Sequence, residues 1–219
     1  MNISITLHWV YNTFLDFLSP PCCSYCKDFL DKRAVFCMPC MSKLQPVVSI
    51  MMPITATKSV KVFAAAAYKE PIRTLIMAKS WSDHVASVHL ADLIWDRTDV
   101  RSVPFDYVVP VPLHWTRFAK RGFNQAQEIA QVLSKKSGTK SVLLLKRSKR
   151  TPFQSVLKSS QRVANVADAF VLTASNPLLY KDKHLVLVDD LLTTGATIRA
   201  CAKVLLELKP ASITVVVAC

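Results

Sequence analysis

The sequence predicts an α/β fold in which helices flank a parallel sheet, with a small four-cysteine module ahead of it. Short runs rich in Val, Ile and Leu alternate along the chain with segments whose apolar residues recur at helical spacing. Strands that alternate with helices are typical of a parallel sheet. With 219 residues, 51% of them hydrophobic, the chain can bury one sizeable core together with an accessory module.

Six segments have the composition of strands, and four have the periodicity of amphipathic helices. The predicted strands are residues 61–68, 106–111, 141–145, 168–172, 184–188 and 212–218. The predicted helices are residues 71–78, 84–95, 125–136 and 196–208. Asn124 and Gln127 predict a capped start for the third helix. Because ligands bind at the carboxyl ends of parallel strands, we expect Asp189, Asp190 and His114 at one edge of the sheet.

The stretch VLVDDLLTTGATI, residues 186–198, joins a buried strand, two adjacent carboxylates and a turn that opens a helix. A helix N-terminus offers unpaired N–H groups and the positive end of the helix dipole. The turn is therefore predicted to hold a phosphate through Thr193, Thr194, Gly195, Ala196 and Thr197. Asp189 and Asp190 would engage hydroxyls or a divalent metal on the same ligand, and a ribose 5-phosphate fits both requirements. The alternative is that these acids and threonines only cap the strand and the helix.

Composition excludes several classes of function. The chain has only three glycines, Gly122, Gly138 and Gly195, so it contains neither a G-x-G-x-x-G dinucleotide loop nor a Walker A loop. No apolar run approaches the length of a membrane span. The first residues lack the basic start and the small-residue cleavage site of a secretory signal, so we expect a cytoplasmic protein.

The chain divides into three predicted parts, which are an N-terminal amphipathic helix (residues 1–20), a four-cysteine module (21–46) and the α/β domain (47–219). We expect the first helix to pack on its own protein. A membrane-surface helix is the alternative, which is disfavoured because the segment carries no Lys or Arg. The apolar stripe of this helix consists of Ile3, Leu7, Val10, Tyr11, Phe14, Leu15 and Leu18.

Two C-x₂-C pairs, Cys23 with Cys26 and Cys37 with Cys40, are separated by ten residues. This spacing suits a tetrahedral zinc ion with four thiolate ligands, which is a structural site with no open position. Two disulfides are the alternative, and the lack of a secretory signal disfavours them. Cys22, next to Cys23, could substitute in the ligand set.

Positive charge is concentrated in one part of the chain. The formal net charge is +13, and residues 117–162 contain twelve Lys and Arg against a single acid, Glu128. One small anion can contact only a few cations, so the excess predicts a polyanion such as nucleic acid. A solvated face is the alternative, although such a face normally mixes both signs. The candidate nucleic-acid contacts are Lys120, Lys146, Arg147, Lys149, Arg150 and Lys158.

The 186–198 stretch resembles the 5-phosphoribosyl 1-pyrophosphate signature of type I phosphoribosyltransferases, in which the acids hold the ribose hydroxyls and the loop holds the 5-phosphate. Together with residues 108–130, residues 151–170 and the cysteine cluster, it makes the whole chain similar to the ComF family of competence-associated proteins. In that family a glycine usually follows the second cysteine, where this chain has Lys27.

The resemblance implies a type I phosphoribosyltransferase-like domain that binds phosphoribosyl pyrophosphate with Mg²⁺, beside a structural zinc module. It also implies single-stranded DNA as a partner during natural transformation, with other proteins of the DNA-uptake machinery. The pyrophosphate contacts that it implies are Lys79, Pro112, Leu113, His114, Arg117, Arg121 and Arg162.

Two functions remain open at the level of sequence. The first is a cytoplasmic protein that binds phosphoribosyl pyrophosphate and handles single-stranded DNA. The second is an active phosphoribosyltransferase that transfers ribose 5-phosphate to a base or an amine. No segment has an evident nucleobase-recognition pattern, and the region before residue 60 is largely occupied by the cysteines, so the first is favoured.

Overall fold

The computed structural model describes residues 20–32, 34–77, 84–113, 118–119, 122–148 and 169–219. The helices are α1 (Met38–Met41), α2 (Ile72–Met77), α3 (His84–Arg97), α4 (Gln125–Ser137) and α5 (Ala196–Leu205). The strands are β1 (Ile50–Pro53), β2 (Ser59–Ala64), β3 (Tyr107–Pro110), β4 (Lys140–Ser141), β5 (Leu145–Arg147), β6 (Phe170–Leu172), β7 (His184–Val188) and β8 (Ser212–Val217). Within these ranges, no helix has the length and apolar character that crossing a bilayer requires.

Six strands form the central sheet in the order β1-β2-β8-β7-β3-β4. The four pairings from β2 to β4 are parallel, and β1 adds to β2 in the antiparallel direction. β7 lies in the interior of the sheet, where Val186 is opposite Val108 of β3 and Thr214 of β8. The prediction of a parallel sheet flanked by helices is confirmed.

The two faces of the sheet bury separate cores. Successive side chains of a strand point to opposite faces, so Val186 and Val188 pack with α2, α3 and α4, whereas Leu185 and Leu187 pack with α5. The cysteine region packs into the first of these cores, mainly through Cys23, Phe36, Cys40 and Leu44. It also contacts α3 through a hydrogen bond of 3.1 Å between Ser24 Oγ and His89 Nδ1.

The structure differs from the expected strands in three places, the first being that the predicted strand 61–68 is observed as Ser59–Ala64. The predicted strand 141–145 is divided: Lys140–Ser141 pairs with β3, and Leu145–Arg147 leaves the sheet to pair in antiparallel fashion with Phe170–Leu172. Residues 142–144 belong to neither strand, and the carbonyl oxygens of Leu143 and Leu144 accept hydrogen bonds from the hydroxyl and the N–H of Thr173 at 2.8 and 2.9 Å, which join this part of the chain to the end of β6. The edge strand β1 was not predicted, because four residues are too few to show alternation.

The start of α4 also differs from the expectation. Asn124 is the N-cap residue, but its side chain makes no cap hydrogen bond. Its amide Nδ2 instead donates to the carbonyl oxygen of Val111 at 3.0 Å, which ties the start of α4 to the end of β3. The helix ends at a left-handed glycine, Gly138, after two lysines that favour the negative end of the helix dipole.

Asp106 fixes the amino end of the sheet. Its Oδ2 accepts a hydrogen bond from the backbone N–H of His184 at 2.8 Å, and its Oδ1 accepts one from Lys183 Nζ at 3.3 Å. The His184 N–H, aided by the Lys183 charge, holds the pKa of Asp106 below its ordinary value of 3.8. The carboxylate therefore joins the chain before β3 to the start of β7.

Replacing Asp106 with Asn should lower the midpoint of thermal unfolding at pH 7, because the charged acceptor of the His184 N–H is lost. The folded pKa lies below the unfolded one, so the stabilisation is fully present above the unfolded pKa and disappears as pH falls through the folded value. Thermal melts across pH should show the parent and Asp106→Asn converging in acid. The exposed Asp31→Asn is the control, and an equal effect of both variants at pH 7 would contradict this role.

Candidate functional site

A cavity of about 210 Å³ opens where the carboxyl ends of β3 and β7 meet. The segment after β7 forms one wall with the adjacent carboxylates Asp189 and Asp190. The segment after β3 and the start of α4 form the opposite wall, and Arg147 of β5 contributes a cation. The residues that line the cavity are Val111, Pro112, Leu113, Asn124, Gln125, Ala126, Arg147, Asp189, Asp190, Leu191, Leu192, Thr193, Gly195, Ala196, Thr197 and Ile198.

Backbone hydrogen bonds to β8 and its C-terminal extension hold the start of the loop after β7. The N–H of Asp189 donates to Val216 O at 3.1 Å, and the N–H of Leu192 donates to Cys219 O at 2.7 Å. The N–H of Ala218 donates in return to Asp190 O at 3.2 Å. The carboxylates therefore project from a segment whose backbone is an extension of the sheet.

The second half of the loop ends at Gly195, the N-cap of α5, which has a left-handed φ of 73°. Arg199 Nη1 donates to Thr194 O at 2.7 Å and so closes the turn from the helix side. A Cβ on Gly195 would lie 2.8 Å from Met52 Cε of β1. The left-handed backbone therefore favours glycine here, and a Cβ would also displace the flexible end of the Met52 side chain. The first-turn N–H groups of α5 face the region where an anion would bind.

Arg147 is buried beneath the cavity. Its side chain is 6% exposed, and its guanidinium carbon lies 5.4 Å from the centre of the Phe170 ring. Burial and the nearby Asp189 carboxylate raise the pKa of the Cys201 thiol well above its usual value, and Arg147 acts in the opposite direction. Asp189 and Arg147 therefore both lie near this fully buried thiol, and both line the cavity.

A second cluster consists of four cysteines. The sulfurs of Cys23, Cys26, Cys37 and Cys40 all lie within 4.8 Å of one another, and those of Cys26 and Cys37 are 3.6 Å apart. Tetrahedral zinc with bonds of about 2.3 Å places its sulfur ligands about 3.8 Å apart, whereas a disulfide brings two sulfurs to about 2.05 Å. The four thiols could therefore hold a metal ion such as zinc. The Cys22 thiol donates instead to Pro20 O at 3.4 Å, outside the cluster.

The pKa values of three thiols in the cluster are shifted in opposite directions, that of Cys23 down and those of Cys26 and Cys40 up. Burial raises the pKa of the Cys23 thiol, but hydrogen bonds from the backbone of Cys37, Tyr25 and Cys26 outweigh this effect and lower it to about 6. Burial and the Cys37 thiol raise the pKa of Cys40. Because several adjacent thiolates repel one another, a bound cation is what allows all four to ionise.

The turn that presents Cys23 and Cys26 ends in a lysine, and this lysine adopts the backbone conformation that glycine would favour. Lys27, at the position where the resemblance led us to expect glycine, adopts a left-handed φ of 69°. Its backbone N–H donates to Cys23 O at 3.0 Å, and its Nζ donates to Ser24 O at 3.0 Å. A non-glycine residue in the left-handed conformation costs about 1–2 kcal/mol, and these hydrogen bonds offset part of that cost.

Comparison with known proteins identifies the family. A sequence model of the phosphoribosyl transferase domain matches residues 118–219. Competence protein F of Haemophilus influenzae is 31% identical over 197 residues, which cover 86% of this chain and 80% of that protein. The chain belongs to the ComF family.

Two further relatives match about half of the chain. DNA utilization protein YhgH of Escherichia coli K12 is 34% identical over 114 residues, 50% of this chain and 47% of that protein. Competence protein ComFC of Bacillus subtilis is 35% identical over 100 residues, 46% of this chain and 38% of that protein.

This ComF chain brings most of the predicted ribose 5-phosphate residues together. Thr194 does not line the cavity: its carbonyl binds Arg199, and its hydroxyl accepts the N–H of Ala196 at 3.4 Å. The pyrophosphate candidates Pro112 and Leu113 line the opposite wall. The predicted residues that line the cavity after β7 are Asp189, Asp190, Thr193, Gly195, Ala196 and Thr197.

Other candidates lie outside the described residues. The pyrophosphate candidates among them are Lys79, His114, Arg117, Arg121 and Arg162. The nucleic-acid candidates among them are Lys120, Lys149, Arg150 and Lys158.

Arg147 is not placed as expected for a nucleic-acid contact. Side chains alternate along β5, so Lys146 is exposed while Arg147 points inward and lines the cavity. The charge count could not distinguish the two, because it ignores the direction of each side chain. Lys146 therefore remains a surface cation, and Arg147 belongs to the pocket.

Three further cations of the basic stretch lie at or just after the far end of α4. Lys135, Lys136 and Lys140 are exposed there, and the first two lie about 15 to 17 Å along the helix axis from Gln125 at a rise of about 1.5 Å per residue. Lys136 Nζ lies 2.9 Å from Asp92 Oδ1 of α3, so an acid from outside the stretch offsets part of its charge.

Sequence reasoning missed Gln125 and Met52. Gln125 lines the cavity from the first turn of α4, and Met52 covers Gly195 from β1. The position of Gln125 at the start of a helix that follows β3 was an available signal, because such helix starts lie at the ligand edge of a parallel sheet. Nothing in the local sequence links Met52 to Gly195, which is 143 positions away.

Replacing Gly195 with Ala should destabilise the fold more than the same change at Gly138. Both glycines have a left-handed φ, 73° and 72°, but only at Gly195 would the new Cβ lie 2.8 Å from Met52. We expect a loss of about 1–2 kcal/mol from the backbone at either position, with about 1 kcal/mol more at Gly195, the low end of the overpacking range, because the ends of the Met52 and Arg199 side chains can shift. Urea unfolding measures both variants, and equal losses would contradict the Met52 contact.

Proposed function

We propose that this ComF protein binds 5-phosphoribosyl 1-pyrophosphate with Mg²⁺ and handles single-stranded DNA during DNA uptake, in the cytoplasm. The observation that carries the proposal is the convergence of the Asp189–Asp190 pair and the N-terminus of α5 on one cavity, in a chain whose sequence matches the phosphoribosyl transferase domain. The relatives named competence protein F and DNA utilization protein support the role in DNA uptake.

Different parts of the cavity wall offer hydrogen-bond donors and hydrogen-bond acceptors. The hydroxyls of Thr193 and Thr197 and the N–H groups at the start of α5 suit the 5-phosphate, since they are donors at the positive end of a helix. Asp189 and Asp190 are acceptors and suit ribose hydroxyls, or Mg²⁺ bound to the pyrophosphate, because Mg²⁺ prefers oxygen ligands. Pro112 and Leu113 line the wall after β3, and the Leu113 N–H is the one backbone donor that this pair can offer to a pyrophosphate, because proline has no N–H.

We infer that the four cysteines hold one structural zinc ion per chain. All four positions are taken by thiols, so the site has no open position for a reaction. Its role would be to fix the region between Cys23 and Cys40, which packs in the same core as α3.

Single-stranded DNA is proposed as the second ligand because of the basic stretch. The names of the relatives and the excess of cations in residues 117–162 support it. Of the candidate contacts, Lys146 is exposed and available to a phosphate, while Arg147 is assigned to the pocket. Such binding would be electrostatic and largely independent of base sequence.

A phosphoribosyltransferase activity is the second candidate, and one observation favours it. A smaller cavity of about 130 Å³ adjoins the first and shares Pro112, Leu113 and Asn124 with it. Phe118 and Leu143 give this cavity an apolar wall, and Gln127 adds an amide. Apolar walls with a few amides suit a flat acceptor such as a nucleobase. Release of pyrophosphate on adding bases to the protein with phosphoribosyl pyrophosphate would establish the transfer.

Phosphoribosyl pyrophosphate with Mg²⁺ should raise the melting temperature of the protein, because it binds only the folded state; the gain is about 2.7 kcal/mol at a hundredfold excess over Kd. Asp190→Asn should reduce that rise, since a charged acceptor for a hydroxyl or metal is lost. Thermal melts with and without ligand test this. Asp96→Asn on the exposed face of α3 is the control. An identical ligand-induced rise in the parent and both variants would remove Asp190 from the site.

Purified protein should contain one zinc ion per chain, measured by elemental analysis. Cys37→Ser should lose the metal and lower stability, because structural metal binding contributes folding free energy. Cys22→Ser should keep it, since the Cys22 thiol points away from the cluster. Metal-free protein with two disulfides, found by mass spectrometry of the native chain, would refute the zinc assignment.

Single-stranded DNA should bind with little sequence preference and a steep salt dependence. About four to six phosphate contacts predict a slope of log K against log salt near −3 to −4. Replacing Lys146, Lys149 and Arg150 with Ser should flatten the slope by about 2, because each lost contact removes about 0.7.

The matched control removes the same charge elsewhere, by replacing Lys135, Lys136 and Lys140 with Ser at the far end of α4. Fluorescence anisotropy with labelled oligonucleotides measures both sets. Equal losses in the two variants would mean that only net charge matters, and no binding at about 50 mM salt would end the nucleic-acid proposal.

A further inference from the structure

Gln125, the first residue of α4, lies deep in the wall of the larger cavity. Its side chain is 7% exposed and lines the cavity together with the Asp189–Asp190 pair. Neither its Nε2 nor its Oε1 has a hydrogen-bond partner within the described part of the protein. Buried amides almost always have partners, so this side chain calls for an explanation.

The neighbouring amide shows that Gln125 is not needed to anchor the helix. Asn124 Nδ2 donates to Val111 O at 3.0 Å and already joins the start of α4 to the end of β3. The backbone N–H groups of Gln127 and Glu128 donate to Asn124 O, at 3.0 and 3.1 Å, so the first turn closes without the Gln125 side chain. Burial of the Gln125 amide costs stability and contributes nothing visible to the helix start.

The chemistry of an amide limits what could satisfy it. The carboxamide presents two donors on nitrogen and an acceptor on oxygen. Phosphate and pyrophosphate oxygens only accept, so they would satisfy Nε2 and repel Oε1. A hydroxyl both accepts and donates, and it suits a cavity whose other wall carries the acceptors Asp189 and Asp190. The group that matches both walls is a sugar with neighbouring hydroxyls.

We propose that Gln125 binds a ribose hydroxyl of the phosphoribosyl ligand and acts as a specificity determinant for the sugar. This assignment rests on the proposed function of the cavity. Gln125 accepts or donates one hydrogen bond to the sugar, while the carboxylates on the opposite wall receive the remaining hydroxyl protons. It gives the site a preference for hydroxyl-bearing sugar phosphates over phosphate or pyrophosphate alone.

Gln125→Met tests the proposal, because methionine keeps the size of the side chain and removes both polar atoms. The matched control is Gln131→Met, the same change on the exposed part of the same helix. For each protein, the melting temperature without ligand and the affinities for ribose 5-phosphate, 2-deoxyribose 5-phosphate and pyrophosphate are measured by thermal melts and calorimetry. Gln125→Glu, which keeps the acceptor and removes the donor, gives a second variant.

We expect Gln125→Met to keep or raise the melting temperature of the ligand-free protein, since an unsatisfied buried amide is removed. Its affinity for ribose 5-phosphate should fall about three- to tenfold, the range of one hydrogen bond, with pyrophosphate binding unchanged. Equal affinity of the variant for the ribose and deoxyribose phosphates would assign the contact to the 2-hydroxyl. An equal loss for both sugars would assign it to a hydroxyl that both carry, at C1 or C3.

Three results overturn the assignment. Unchanged affinity for ribose 5-phosphate in Gln125→Met would show that the amide does not bind the sugar. A parallel loss of pyrophosphate binding would make it a contact to phosphate, and a lower melting temperature with no specific loss would make it structural. In each of these cases the proposed function stands if the parent binds ribose 5-phosphate. If the parent binds neither sugar phosphate, the proposed function and this assignment both fail.

Discussion

The parallel pairing of β7 between β3 and β8 is the constraint on which the site depends. β7 is buried on both faces. Its hydrogen bonds to β3 and β8 fix its register, and therefore the position at which the strand ends. Asp189 follows immediately, and its N–H continues the ladder to Val216. Because β3 ends at the same edge, the segments after both strands face each other across one cavity. A slip of one residue in this register would turn the buried side chains of β7 to the wrong faces.

The loop after β7 is shaped by residues from distant parts of the chain. Met52 of the edge strand β1 packs on Gly195, Arg199 of α5 closes the turn at Thr194, and Cys219 O receives the N–H of Leu192. The Thr/Gly part of this loop has little packing of its own, so its shape must come from its neighbours. The left-handed φ of Gly195 is compatible with that shape because no Cβ is present.

Much of this arrangement could be predicted from local sequence. The run HLVLV followed by two acids and a Thr/Gly turn specifies strand, loop and helix within one window, and the structure has β7 and α5 there. The paired C-x₂-C spacing likewise predicts four sulfurs that converge, as they do. These features are readable because the residues that determine them are close together in the chain.

What could not be predicted depends on the direction of side chains and on contacts between distant segments. Lys146 and Arg147 are adjacent cations with opposite environments, and only the pairing of β5 with β6 decides which one is buried. Asparagine is a common N-cap residue, but the Asn124 amide donates to Val111 O instead of capping its helix, because the end of β3 lies beside it. The contact of Met52 with Gly195 exists only because β1 adds to the edge of a completed sheet.

The most direct test of the account is a crystal structure of the protein with 5-phosphoribosyl 1-pyrophosphate and Mg²⁺. The account predicts the 5-phosphate on the N–H groups from Thr193 to Thr197 and the ribose hydroxyls against Asp189 and Asp190, in the cavity between β3 and β7. A ligand bound elsewhere on the protein, or bound in this cavity with its 5-phosphate away from the N-terminus of α5, would contradict it.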